Sequence, residues 1–360
     1  MPRPRPDLVA REDRLTVLPA VPDVSVQVMV GTAARAFLDT AWQLLFERTP
    51  LATPYQSPLW LAAHADRLAP TAELLLLVAE DATGRPRAAF AAVRNQTVGG
   101  WMEVTPLSTP AAEYVRIVGP DAEQPGVAAA IAEALTRFDA DVMLPDVPAS
   151  SALGRYISQW QHALTRCARV DLPVPYASMS RSTRRDHRRR QRDWHALAES
   201  GHCVTYHRTQ SPAELLDAYT VLAHLHQLRR HDRTELLGLT SADERLRAVL
   251  ERCADMAFIA TLTLDGRAVA AQLCLHRGRH AYSMLPAMDP AHQDLAPGHA
   301  LLRRLSDELT TAGYASLDLG RTTCAPGQAA YKNSYAPVWT GTLTAARRTL
   351  AGPDAMRGLA

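Results

Sequence analysis

The chain has 360 residues, 47% of them hydrophobic and 21% charged, and a net charge of +2. That length predicts two domains rather than one core, and the near-balanced charge excludes a global field that would drive the protein onto DNA or a membrane. Five scattered cysteines, none spaced C-x-x-C, exclude a disulfide framework and a structural zinc site.

The opening Met1-Pro2-Arg3-Pro4-Arg5-Pro6 lacks the apolar core of a signal peptide. It predicts a disordered tail over 1–15. Residues 34–48 have helical spacing, with Phe37, Trp42, Leu45 and Phe46 on one side. A second helix is expected from Ser57 to Arg67, then a dense apolar strand over Glu73–Glu80, a turn at Asp81-Ala82-Thr83-Gly84 and a strand over Arg85–Val93. Strand-like pieces follow at Trp101–Val104 and Tyr114–Val118, a helix at Gly126–Asp139 and a buried strand at Asp141–Pro145. The stretch from Asp146 to Pro175 reads as a helix and then a proline-punctuated junction.

Past the junction an arginine-dense helix is expected over Ser180–Ser200, stopped by Gly201, and a strand over His202–Arg208. Ser211-Pro212-Ala213-Glu214 is a helix start with Ser at the N-cap and Glu at N3. That helix runs to about Arg230, and another spans Ser241–Cys253. Ala257–Leu264, Ala268–His276 and His280–Ala287 form an antiparallel meander. A helix over Gly298–Thr311, a buried strand over Ala315–Leu319, a Gly/Pro loop and a last strand over Val338–Ala345 complete the order. The first half repeats a shorter version of this pattern. The expected division is 16–175 and 176–350, with a tail at 351–360. The fold class is α/β (α+β), two tandem domains that each have a mixed, mainly antiparallel sheet flanked by helices.

Only one of the 39 Lys and Arg residues is a lysine, Lys332. An ammonium is a compact point charge, where a guanidinium is a flat fork. Lys332 follows Asp318-Leu319-Gly320-Arg321 at the end of a predicted strand, where pockets form in α/β folds. On the arginine-dense helix, Arg181, Arg184, Arg185, Arg188 and Arg192 share a face. They form either a solvated surface or a clamp for RNA phosphates. Thirteen histidines give no metal-binding set, and no metal or resident cofactor is expected. No Gly-x-Ser-x-Gly elbow or Cys/His pairing argues for a covalent acyl-enzyme.

Five stretches in order resemble the GNAT superfamily: Ser182-Thr183-Arg184-Arg185-Asp186-His187-Arg188-Arg189; Leu225-His226-Gln227-Leu228-Arg229; Leu264-Asp265-Gly266-Arg267-Ala268-Val269-Ala270; Leu295-Ala296-Pro297-Gly298-His299-Ala300; and Asp318-Leu319-Gly320-Arg321 with Tyr331-Lys332. The branch resembled comprises acetyltransferase-like proteins associated with cellulose biosynthesis and the Fem-type peptidyltransferases, which take amino acids from charged tRNA. The resemblance implies an enzyme that transfers an acyl group to an amine, and the missing nucleophile motifs make direct attack by a small-molecule amine the simpler mechanism. The scattered cysteines suit a reducing cytoplasm, and the high Arg, Ala and Pro usage suggests a GC-rich bacterial genome and specialised metabolism. The resemblance also implies catalytic roles for Lys332, Asp318 and Arg321, and substrate contacts by Tyr331, Asn333, His226, Arg230 and Gly298.

The pyrophosphate loop of ordinary members corresponds to Gln293-Asp294-Leu295-Ala296-Pro297-Gly298, which has one glycine, a proline without N–H and an extra acid. That departure favours a tRNA donor over acyl-CoA as co-substrate. A CoA-dependent N-acetyltransferase and a non-catalytic RNA- or partner-binding module are the alternatives. Asp318 reads equally as a strand-end cap, and Tyr331 and Tyr335 as packing residues.

Overall fold

The computed structural model describes residues 16–21, 24–228, 239–322 and 326–348. Arg230 and the expected tails at 1–15 and 351–360 lie outside them. The chain divides into two compact units, residues up to 164 together with those from 342 onward, and Thr165–Gly341.

The first unit contains β1 (Thr16–Val21), β2 (Val24–Val30), α1 (Gly31–Thr40), α2 (Trp42–Glu47), α3 (Pro58–Ala65), β3 (Glu73–Glu80), β4 (Pro86–Gln96), β5 (Met102–Pro106), α4 (Pro125–Leu135), β6 (Asp141–Pro148) and α5 (Ala152–Ile157). Strands β1 to β6 lie side by side in chain order. All pairs are antiparallel except β5 with β6, which run parallel at Glu103↔Asp141 and Val104↔Val142. The apolar run of β3 is buried on both faces because each face is covered. Leu75, Leu77 and Ala79 pack with Ile131 and Leu135 of α4, while the alternate residues point to the other side, where α1 packs on β3.

The second unit takes β7 (Gln161–Asp171) from Thr165 onward, then α6 (Arg181–Glu199), β8 (Val204–Arg208), α7 (Pro212–Leu228) and α8 (Leu239–Arg252). It continues through β9 (Ala257–Leu264), β10 (Arg267–Arg277), β11 (His280–Met288), α9 (Pro297–Thr311), β12 (Ser316–Thr322) and α10 (Pro326–Asn333). Its strand order is β7-β12-β11-β10-β9-β8. Helix α9 lays Leu301, Leu302, Leu305 and Leu309 on Phe258, Ala260 and Leu262 of β9 and on Val269 and Ala270 of β10. The last strand, β13 (Val338–Arg347), joins the first unit from Thr342 onward, pairing antiparallel with β6 from Thr342↔Pro148 to Arg347↔Val142.

The expected mainly antiparallel, helix-flanked tandem architecture holds, with local differences. The helix expected over 34–48 is two helices, α1 and α2, meeting at Ala41. Tyr114–Val118 is not a strand. It makes a single bridge, Ala89↔Val118, between a left-handed Tyr114 (φ 57°) and Gly119 (φ 127°). Helix α5 ends at Ile157, and strand β7 occupies most of the rest of the stretch expected to be helical up to the proline-punctuated segment at 171–175. Its residues 161–164 are exposed, so the segment lacks the apolar alternation that marks a half-buried strand.

Candidate active site

The second unit carries a fork in its sheet. Parallel pairing between β11 and β12 covers only His280↔Ser316, Ala281↔Leu317 and Tyr282↔Asp318, yet β11 continues to Met288 and β12 to Thr322. A register break makes the divergence. Between Leu273↔Leu285 and Cys274↔Ser283, β11 holds the extra residue Met284. Such a bulge bends its strand away from a neighbour.

On the other side of the fork, β12 is also irregular. Gly320 has φ 68°, a left-handed conformation that costs a glycine nothing. Its N–H donates to Asp318 Oδ1 at 2.7 Å, and pairing with β7 shifts register between Asp318 and Arg321. The buried Asp318 carboxylate thus turns back onto its own strand and fixes the kink. Arg321 is exposed.

Lys332 reaches this kink from the last turn of α10. Only 4% exposed, it donates from Nζ to Gly320 O at 2.9 Å and to Arg321 O at 2.5 Å. The lone ammonium is held at the open end of the fork, where β12 stops pairing with β11. Its burial makes its field stronger than that of a surface lysine, because the surroundings screen it less.

Around α10 sits a cluster of rings. Tyr331 Oη donates to Gly298 O at 3.2 Å, so two of the expected substrate contacts meet each other. The ring of His299 lies 4.5 Å from that of Tyr331 and 5.7 Å from that of Tyr335. Tyr335 is fully buried, and its hydroxyl is 2.9 Å from His299 Nδ1. Burial, reinforced by the Arg190 charge, pushes the His299 pKa down to about 3. Burial also lowers that of His187 and raises that of Tyr335 well above the ordinary phenol value.

At the start of α9, Ala296 has φ 48° and Pro297 has no N–H. The N–H groups of His299 and Ala300 both return to Ala296 O, at 3.0 and 3.3 Å. Among the described residues this leaves the Gly298 N–H of the first turn to meet an anion. A pyrophosphate cradle uses several such donors.

Asn333 is engaged elsewhere, since its Oδ1 accepts from Trp339 Nε1 at 3.2 Å. His226 is half-buried on α7, the helix packed on β9, β10 and β11. On α6, Arg181, Arg185, Arg188 and Arg192 are exposed, and His187 and Trp194 form the buried face. Arg184 departs from the expected row, donating from Nη1 to Ala177 O at 2.9 Å and Met179 O at 2.7 Å. It latches the loop before α6. The sequence reading missed His187 and His299. The only signal for them was periodicity, since His187 lies seven residues before Trp194 on the face away from the arginines.

Residues 181–333 match the family described as "Acetyltransferase (GNAT) domain". No curated protein matches the chain. Among solved structures, the crystal structure of FemX superposes with a TM-score of 0.60 at 10% identity, over 85% of this chain and 95% of FemX. The C-terminal domain of a putative lysylphosphatidylglycerol synthetase from Agrobacterium fabrum superposes with a TM-score of 0.56 at 14% identity, over 88% and 93% of the two chains. A conserved protein of unknown function from Bacteroides thetaiotaomicron gives a TM-score of 0.54 at 13% identity, over 87% and 97%. At these identities the likeness is one of fold. No described helix is long and apolar enough to cross a membrane.

Proposed function

We propose that the protein forms an amide bond by direct attack of an acceptor amine on an acyl group esterified to tRNA. The observation that carries the reading is the buried Lys332 ammonium at the open end of the β11–β12 fork, inside the segment that matches an acetyltransferase domain. In this scheme the amine nitrogen bonds to the acyl carbon, and negative charge develops on the carbonyl oxygen. The Lys332 charge stabilises that oxyanion in a weakly screened setting. The ester C–O bond then breaks, and the proton lost by the amine ends on the released ribose hydroxyl. Asp318 serves by holding the β12 kink that Lys332 caps, and the exposed Arg321 offers a guanidinium to a phosphate or carboxylate.

Two features favour RNA over CoA as the carrier. The first turn of α9 presents one N–H where a pyrophosphate needs several. The exposed row Arg181, Arg185, Arg188 and Arg192 suits a phosphate backbone. FemX and the putative lysylphosphatidylglycerol synthetase are consistent with this direction through fold.

The test is to incubate the full chain with aminoacylated tRNAs, acyl-CoAs and a panel of amines, with and without prior ribonuclease treatment of the donor. Amide product from charged tRNA that disappears after ribonuclease is the expected result. Product from acyl-CoA alone replaces the reading with a CoA-dependent N-acetyltransferase. RNA binding without product from any donor replaces it with a binding module.

A further inference from the structure

Helix α10 ends in a way that depends on a residue far away in sequence. The last carbonyls of a helix have no partner within it, and here each finds one. Tyr331 O accepts from Ser334 Oγ at 2.6 Å, Lys332 O from Tyr335 N at 3.0 Å, and Asn333 O from Ala336 N at 3.2 Å. Ser334 O is met by His187 Nε2 of α6 at 2.7 Å, across 147 residues of chain. A carbonyl only accepts, so His187 carries its hydrogen on Nε2. The ring is 5% exposed and is wedged edge-on between Tyr176 at 5.4 Å and Tyr335 at 5.2 Å. Nothing in the acyl-transfer scheme uses it directly.

We propose that His187 is a positioning residue for Lys332. Its bond to Ser334 fixes the turn two residues beyond the lysine, so that the ammonium stays on the Gly320 and Arg321 carbonyls at the fork. The side of α6 opposite His187 carries the exposed arginine row. One rigid helix therefore supports both the surface proposed for the donor and the group proposed to meet the oxyanion. The catalytic part of this inference rests on the reading above; the positioning part does not.

The chain's single lysine makes the test direct. An amine-reactive reagent followed by peptide mass spectrometry reads Lys332 as the only side-chain amine. In the full-length wild type Lys332 labels slowly. His187→Ala and His187→Asn remove the Nε2 donor, the latter because its amide reaches only the Nδ1 position, and labelling is expected to rise about ten-fold, the factor equivalent to about 1.4 kcal/mol, the typical worth of one buried hydrogen bond. His187→Gln, whose amide reaches the Nε2 position, restores protection. Tyr206→Phe loosens the same unit by removing the donor to Glu308 Oε2, with Arg208 still held on Oε1, and leaves Lys332 labelling unchanged.

In the transfer assay, His187→Ala lowers kcat with little change in KM, and His187→Gln recovers it. Unchanged labelling in folded His187→Asn overturns the proposal, as does equal labelling in the Gln and Asn variants. Raised labelling in a protein that transfers from no donor supports the positioning role and removes only the transferase reading.

Discussion

Replacing Lys332 by methionine keeps the unbranched stem and removes the ammonium. The two carbonyls it serves then differ in fate. Gly320 is buried, so its oxygen loses its donor without access to water, at about 1–3 kcal/mol. Arg321 is exposed, so water takes over there at little cost. Returning a buried ammonium to a neutral thioether recovers some desolvation. The net expectation is a loss of about 2 kcal/mol, or roughly 4–8 °C in the melting temperature of a unit of this size. Urea unfolding followed by tryptophan fluorescence and circular dichroism measures it. Lys332→Arg keeps the charge but forces a planar fork into a site that is 4% exposed, at about 1–3 kcal/mol of overpacking. It is therefore not a neutral control for charge. A Lys332→Met protein within about 0.5 kcal/mol of wild type, with full transfer activity, would refute both the structural and the catalytic account of this lysine.

Further consequences can be measured separately. Burial holds the His299 pKa near 3 against about 6.5 in an unfolded chain. The unfolded state therefore binds the extra proton between those values, and stability is full above pH 6.5 and falls as the pH drops toward 3. His299→Leu should flatten that acid limb, and an unchanged limb counts against the assignment. Changing Arg185, Arg188 and Arg192 to Gln together should weaken tRNA binding and reduce its salt slope by about one unit for each arginine–phosphate pair removed, as read by filter binding across a salt series. Gly119→Ala places a Cβ 2.2 Å from Arg87 O at φ 127°, and is expected to destabilise the first unit by more than about 3 kcal/mol. A protein with near-wild-type unfolding would contradict that geometry.

The parts of this molecule that were legible in its sequence are those where burial is one-sided or complete. Strand β3 was marked by its unbroken apolar run and by the Asp81 turn, whose Oδ1 accepts from Thr83 N and Arg85 N. Helix α6 was marked by Ser180 at its N-cap and Gly201 beyond its end. Strand β7 was hidden because half of it is exposed. The fork was illegible for another reason: the bulge at Met284 and the kink at Gly320 are decisions about register, which depend on neighbouring strands rather than on local pattern. Lys332 stood out as a composition anomaly. The identity of its partners did not follow, because backbone carbonyls leave no mark in a sequence. His187 was masked by the arginines around it, which drew attention to the outer face of α6.

The strand β13 carries an implication for biosynthesis. The first unit takes an inner partner for β6 from residues 342–347, which leave the ribosome only after the whole of Thr165–Gly341. Until they emerge, β6 offers an unpaired rim to any other nascent chain nearby. A polypeptide stopped at Gly341 would retain every residue of the second unit, yet leave the earlier-made unit incomplete and prone to aggregate.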